Sequence, residues 1–171
     1  MASISWKNPA SDGWTVGADW SFGTVPGSGD HVAIGVAGSY TITLNVAAIS
    51  SLTISDGNAA LVIASGATES LAGDLSNSGS LEADANGSGG STLTVGGTLT
   101  NTGGILFGNG GITAATTVAV AALNNTGTLT VHGQDVVGGA AAMLRVASAA
   151  TSRLTTAGPG QFADDRRHAF G

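Results

Sequence analysis

Apolar and polar residues alternate through the middle of this chain, and the same turn interrupts the alternation at a fixed step. Leu75-Ser-Asn77-Ser-Gly79-Ser-Leu81 returns as Leu99-Thr-Asn101-Thr-Gly103-Gly-Ile105, and again as Leu123-Asn-Asn125-Thr-Gly127-Thr-Leu129, with a period of 24 each time. A constant period of this size marks a solenoid, and alternation within each unit makes its coils from strands. At about 3.3 Å per residue, one coil closes through about three short strands and their corners. Each strand then pairs with its copy in the next coil, so like residues stack into ladders. Leu75/Leu99/Leu123, Leu81/Ile105/Leu129 and Leu71/Val95/Ala119 are the expected inward ladders. Gly79/Gly103/Gly127 is expected at a corner that needs positive φ. Asn77, Asn101 and Asn125 form the most specific ladder: asparagine suits a corner, and stacked amides can bond to one another up the solenoid.

The alternation is less regular before this region and changes after it. Tyr40-Thr-Ile-Thr-Leu44, Ser51-Leu-Thr-Ile54 and Ala60-Leu-Val-Ile63 read as short strands of early coils, with turns at Asp56-Gly57-Asn58 and Ser65-Gly66. From Leu52 to Leu75 the step is one position short of a full period, so these coils run slightly out of phase. Asp84-Ala-Asn-Gly-Ser-Gly-Gly90 reads as a flexible projection. Beyond Gly138, a stretch rich in Ala and Leu keeps Met143, Leu144, Ala147, Ala150, Thr151 and Leu154 roughly to one helical face, with Gly158-Pro159-Gly160 as its stop. It predicts a short helix over the last coil, followed by a solvated tail at Asp164-Asp-Arg-Arg-His168.

All three tryptophans, Trp6, Trp14 and Trp20, fall in residues 1–30. A solenoid must cover its bare first coil, and large rings would do so. The other reading of clustered tryptophans is a carbohydrate-stacking platform. The expected organisation is therefore an aromatic cap at 1–30, a solenoid at 31–138 and a capping helix with tail at 139–171. The fold class is all-β, a right-handed parallel β-helix, the handedness following that of parallel crossovers.

Trp14-x5-Trp20-Ser-x-Gly-Thr-Val-Pro-Gly-x-Gly-Asp30-x-Val-x-Ile34, followed by the Leu-x-Asn-x-Gly-x-Leu units, resembles bacterial β-strand-repeat surface proteins of the autotransporter-passenger or adhesin kind. The likeness covers roughly residues 14–133. It implies a secreted right-handed parallel β-helix serving adhesion or acting as a stalk. This sequence has no RTX-type calcium repeat and no membrane barrel after the repeats.

Composition narrows the chemistry. Only 9% of the 171 residues are charged and 5% are aromatic, while glycine alone contributes 28. Positive mean hydropathy separates the chain from the polar, highly charged composition of disordered segments. There is no cysteine, so disulfides and thiolate metal sites are excluded. No apolar run is long enough to span a bilayer, and the N-terminal residues show no standard signal-peptide pattern. Residues 1–138 carry nine acidic groups against Lys7, whereas 139–171 carry four arginines against two aspartates. An acidic body of this kind disfavours nucleic acid and anionic membranes as partners.

No catalytic constellation emerges. Asp74, Glu82 and Asp84 are the only acids between Glu69 and Asp135, and no Lys or Arg stands between Lys7 and Arg145 to stabilise an anionic intermediate. His31 and His132 lie about four coils apart by the period. Gly89-Gly-Ser-Thr-Leu-Thr-Val95 has a glycine rhythm but lacks an aspartate to ligate calcium. Thr98 and Thr100 are followed one period later by Ala122 and Asn124, so no ice-binding threonine face is expected. The sequence predicts no catalytic, cofactor or metal residues. It predicts a secreted or surface-displayed scaffold, adhesin-like or filament-forming, whose partners are itself, end to end, or a cell-surface glycan or protein. The rival reading is a glycan-binding or polysaccharide-degrading module with a groove along one face.

Overall fold

The computed structural model describes residues 1–133, 140–152, 155–157 and 161–164, with side chains described for 1–133 and 140–147. It is an all-β parallel solenoid of about 6 turns. Each full turn lays down three strand segments, so the molecule has three faces around one apolar core.

On the first face, Ser3–Ser5 pairs with His31–Ile34, which pairs with Ser51–Ile54, then Leu75–Asn77, and then the last residues of Thr92–Asn101, Thr116–Asn125 and Ala142–Ser152. The second face runs from Asp12–Gly13 through residues 40–44 and 59–63 to Ser80–Ala83, Gly104–Phe107, Thr128–His132 and Thr155–Ala157. The third begins only in the second coil, at residues 46–49, and continues through 68–71, 92–95, 116–120, 142–146 and Gln161–Asp164. Residues 1–30 thus supply a first coil as well as the aromatic cluster. That coil puts strands on two faces and a pair of 3-10 turns, Gly17–Asp19 and Ser21–Gly23, in place of a third.

Every second side chain points inward, and the stacked inward positions form the core: Val32, Leu52, Leu75, Leu99 and Leu123 on the first face, and Leu61, Leu81, Ile105 and Leu129 on the second. At about 25 cal/mol per Å² of apolar surface removed from water, these ladders drive the fold. On the third face the ladder is Leu71/Val95/Val120/Val146. Ala119 is not in it. Gly96 and Gly97 oppose the single residue Ala121, which shifts the register by one and turns Ala119 outward beside Thr94. The repeat period holds only where corners have equal length: the step from Val32 to Leu52 falls four positions short of it, and that from Leu52 to Leu75 one position short.

The expected C-terminal helix is absent. Ala142–Ser152 is a strand paired in parallel with Thr116–Asn125, with one register shift after Leu123. Ala142, Leu144 and Val146 are buried while Met143 is half-exposed and Arg145 exposed, a period of two rather than 3.6. Ala, Leu and Met favour helix by a few tenths of a kcal/mol per residue. The open edge of the preceding coil offers a hydrogen-bond ladder and an apolar face, which outweigh that preference. The expected stop at 158–160 and residues 165–168 of the tail lie outside the described residues.

The glycine corner has a different cause from the one its composition suggests. Gly79, Gly103 and Gly127 do not have positive φ. A methyl group at Gly103 would strike the carbonyl oxygen of Gly79, and one at Gly127 that of Gly103. The corner needs glycine because consecutive coils approach too closely there for a Cβ.

Candidate functional site

Asn77, Asn101 and Asn125 end three stacked strands of the first face and turn their side chains inward, each 2% exposed or less. Asn77 Nδ2 donates to Asn101 Oδ1 at 2.8 Å, and Asn101 Nδ2 donates to Asn125 Oδ1 at 2.6 Å. The same two nitrogens also donate to the carbonyls of Gly104 at 3.0 Å and Thr128 at 3.1 Å. The amides therefore form one chain that stitches each coil to the next. At its lower end Asn77 Oδ1 is buried with no partner, because the coil beneath presents Ile54. None of these side chains reaches the surface.

The tryptophans also come together. Trp20 lies edge-on to Trp6, with centroids 5.0 Å apart at 83°, and to Trp14, at 4.7 Å and 64°. Trp6 stacks on Tyr40 of the second coil at 6.5 Å. Trp20 Nε1 donates to the Trp14 carbonyl, and Trp6 Nε1 donates to that of Asn8. All three indoles are at most 2% exposed, so they offer no stacking platform to a sugar. Asp30 ties the segment down by accepting from the amides of Gly27 and Ala2, which hold its carboxyl below the usual range.

The surface feature that stands out is the corner between the second and third faces. It is one residue long in the second coil, at Asn45, then spans 64–67 in the third, 84–91 in the fourth and 108–115 in the fifth. Insertions gathered along one side of a repeat array are often its binding side. The loop at 84–90 is held, not a free projection. Ser88 N donates to Ser65 Oγ at 2.8 Å, and Asn109 Nδ2 donates to the carbonyls of Asp84 at 2.7 Å and Gly87 at 2.8 Å. Thr113 N reaches the Ser88 carbonyl at 2.7 Å. A cleft of about 180 Å³ lies where residues 62–65 meet 84–87. Its walls are mainly apolar, from Val62, Ile63, Ala64 and Ala85, with Ser65, Asn86 and the buried Asp84 as polar lining.

Asp84 anchors this ridge. It is 2% exposed, and its Oδ2 accepts from Ser91 N, Ser91 Oγ and Thr116 Oγ1. Its φ of 57° is left-handed, and Gly108, one coil on, has φ 74°. The pairing of an aspartate with a glycine one period later is the sequence signal for this corner. His31 contacts Ser51 Oγ at 2.7 Å in the second coil, four coils from His132. Among the described residues, no group of three or more His, Asp or Glu could hold a metal ion.

Glu69 is a second buried carboxylate. It takes an inward position in Ala67-x-Glu69-x-Leu71 and is 1% exposed. Burial pushes its carboxyl up to about 8, which the Ala47 backbone amide offsets only in part. Neither oxygen has a partner at hydrogen-bonding geometry. Period-two alternation alone marks it as inward.

Compared with protein-family models, curated proteins and solved structures, the chain matches no family model, no curated protein and no solved structure.

Proposed function

We propose that this chain is a non-enzymatic β-helical scaffold, secreted or displayed at a bacterial cell surface, that serves adhesion or builds filaments. The observation that carries the reading is the unbroken parallel stack of the first face, from Ser3–Ser5 to Ala142–Ser152. Seven strands joined by six steps of about 4.8 Å make a rod roughly 29 Å long. The likeness of Trp14–Ile34 and the Asn-Gly units to β-strand-repeat surface proteins adds to it. A rod of stacked coils holds its outer side chains at fixed spacings, which suits display and repeated weak contacts. The partners are a cell-surface glycan or protein, or further copies end to end.

The cleft on the insertion corner favours a second reading, a module that binds or degrades a glycan. One experiment addresses both: a glycan array and cell-surface extracts probed with the intact protein, with every retained glycan then assayed for cleavage, alongside electron microscopy. Retention without turnover, or end-to-end filaments, is the expected result. Turnover of a bound polysaccharide would overturn the scaffold reading.

A further inference from the structure

Glu69 stands where the alternation of the third face calls for an apolar side chain. It lies in the inward ladder between Ala47 of the coil before and Leu93 of the coil after. No titratable residue occurs in the flanking segments 46–49 and 92–95. Across the core in the same coils, Ser51–Ile54, residues 59–63 and Leu75–Asn77 carry none, and Ser80–Ala83 carries only Glu82, which alternation turns outward. Among the described residues no cation stands beside Glu69 on these segments, so an ionised carboxylate there must find water or meet a large desolvation cost.

The stack of strands ends close by in one direction. Residues 46–49 are the first strand segment of the third face, because the first coil puts no strand there. One short segment therefore separates Glu69 from the edge of the sheet, where the first coil has the 3-10 turns Gly17–Asp19 and Ser21–Gly23 instead of a strand. Val46 at its start is 69% exposed. The segment follows the register shift at which residues 64–67 oppose the lone Asn45. A short edge segment beside an irregularity is where local opening costs least.

We propose that Glu69 is a pH-sensitive latch: uncharged, it lets residues 46–49 close over the core, and ionised, it reaches water by detaching that edge segment. Once the segment is open the carboxyl ionises near its ordinary 4.5, whereas the closed form keeps its proton up to about 8. The closed state therefore binds one more proton across that window. Its stability is full below about pH 4.5, falls as pH rises to about 8 and stays level above. The opening equilibrium gains up to about tenfold per pH unit within the window.

Hydrogen exchange of the intact protein at pH 6, 7 and 8, corrected for the intrinsic rates, tests this against Glu69→Gln and Glu69→Leu. Amides of 46–49 in the unsubstituted protein are expected to speed up by as much as about tenfold per unit. Both variants should show no such rise; the leucine variant serves if the glutamine variant folds poorly. Every other ionisable group is common to all three proteins, so the difference isolates Glu69. Exchange at 46–49 that tracks the variants at every pH would overturn the proposal. So would acceleration spread evenly over the chain, which marks global unfolding.

Discussion

Asn101 is bonded on both sides, accepting from Asn77 and donating to Asn125 and the Thr128 carbonyl. Its replacement by alanine takes one acceptor from the Asn77 amide, and one donor each from the Asn125 side chain and the Thr128 carbonyl, in a dry interior, at about 1–3 kcal/mol. Asn77→Ala should cost less, since Asn77 Oδ1 already lacks a partner and its loss relieves that burden. Thr100→Ala, on the half-buried outer position next to Asn101, should stay within about 0.5 kcal/mol. Urea titrations of the three variants should rank them in that order. The glycines allow a sharper comparison. Gly103→Ala drives a methyl into the Gly79 carbonyl and should cost about 1–3 kcal/mol. A Cβ at its neighbour Gly104 meets nothing within 4 Å, so Gly104→Ala should be neutral or stabilise by about 0.4–1 kcal/mol. The Leu-x-Asn-x-Gly spacing made the ladder legible because its coils have equal corners. Crowding between coils was not legible, since φ and packing demand the same residue.

At the scale of elements, the strand Ala142–Ser152 shows what local propensity cannot see. Met143, Leu144 and Ala147 fall at helical spacing, yet Ala142, Leu144 and Val146 also fall at strand spacing. Only the waiting edge of Thr116–Asn125 decides between them, and that edge belongs to the preceding coil, well outside any local window of sequence. As a strand, the segment buries Leu144 completely, so Leu144→Ala should cost about 2–5 kcal/mol, whereas Arg145→Ala, on the exposed side, should stay within about 0.5 kcal/mol. Thermal unfolding of the two variants checks this directly. The insertion corner was hidden for a related reason: its loops look like solvent-exposed glycine-rich linkers until Asn109 and Ser65 are brought beside them.

For the whole molecule, the two ends differ in how they are closed. At the start, Ser21 Oγ takes the amide of Ser5 and the indoles fill the space under the second coil. At the other end, further strands continue the stack on Thr116–Asn125. Truncation after Gly138 removes those strands and bares the whole edge of Thr116–Asn125 with its apolar row Val118, Val120 and Leu123. Such an edge is a template for another chain. Dimers or fibres should appear in light scattering and electron microscopy, with a lower Tm than the full chain. A truncated protein that stays monomeric with an unchanged Tm would mean that residues 139–171 do not close the stack.

The parallel stacking of coils also has a mechanical side. The strands lie across the rod, so tension applied between its ends loads their hydrogen bonds one coil at a time, as a zipper is loaded. Each full coil that yields releases roughly 80 Å of chain. The coils linked by Asn77, Asn101 and Asn125 carry an extra side-chain bond across every junction. Pulled in an optical trap, the molecule becomes a graded spring: its early coils unwind first in unequal lengths, and the amide-stitched coils resist longest.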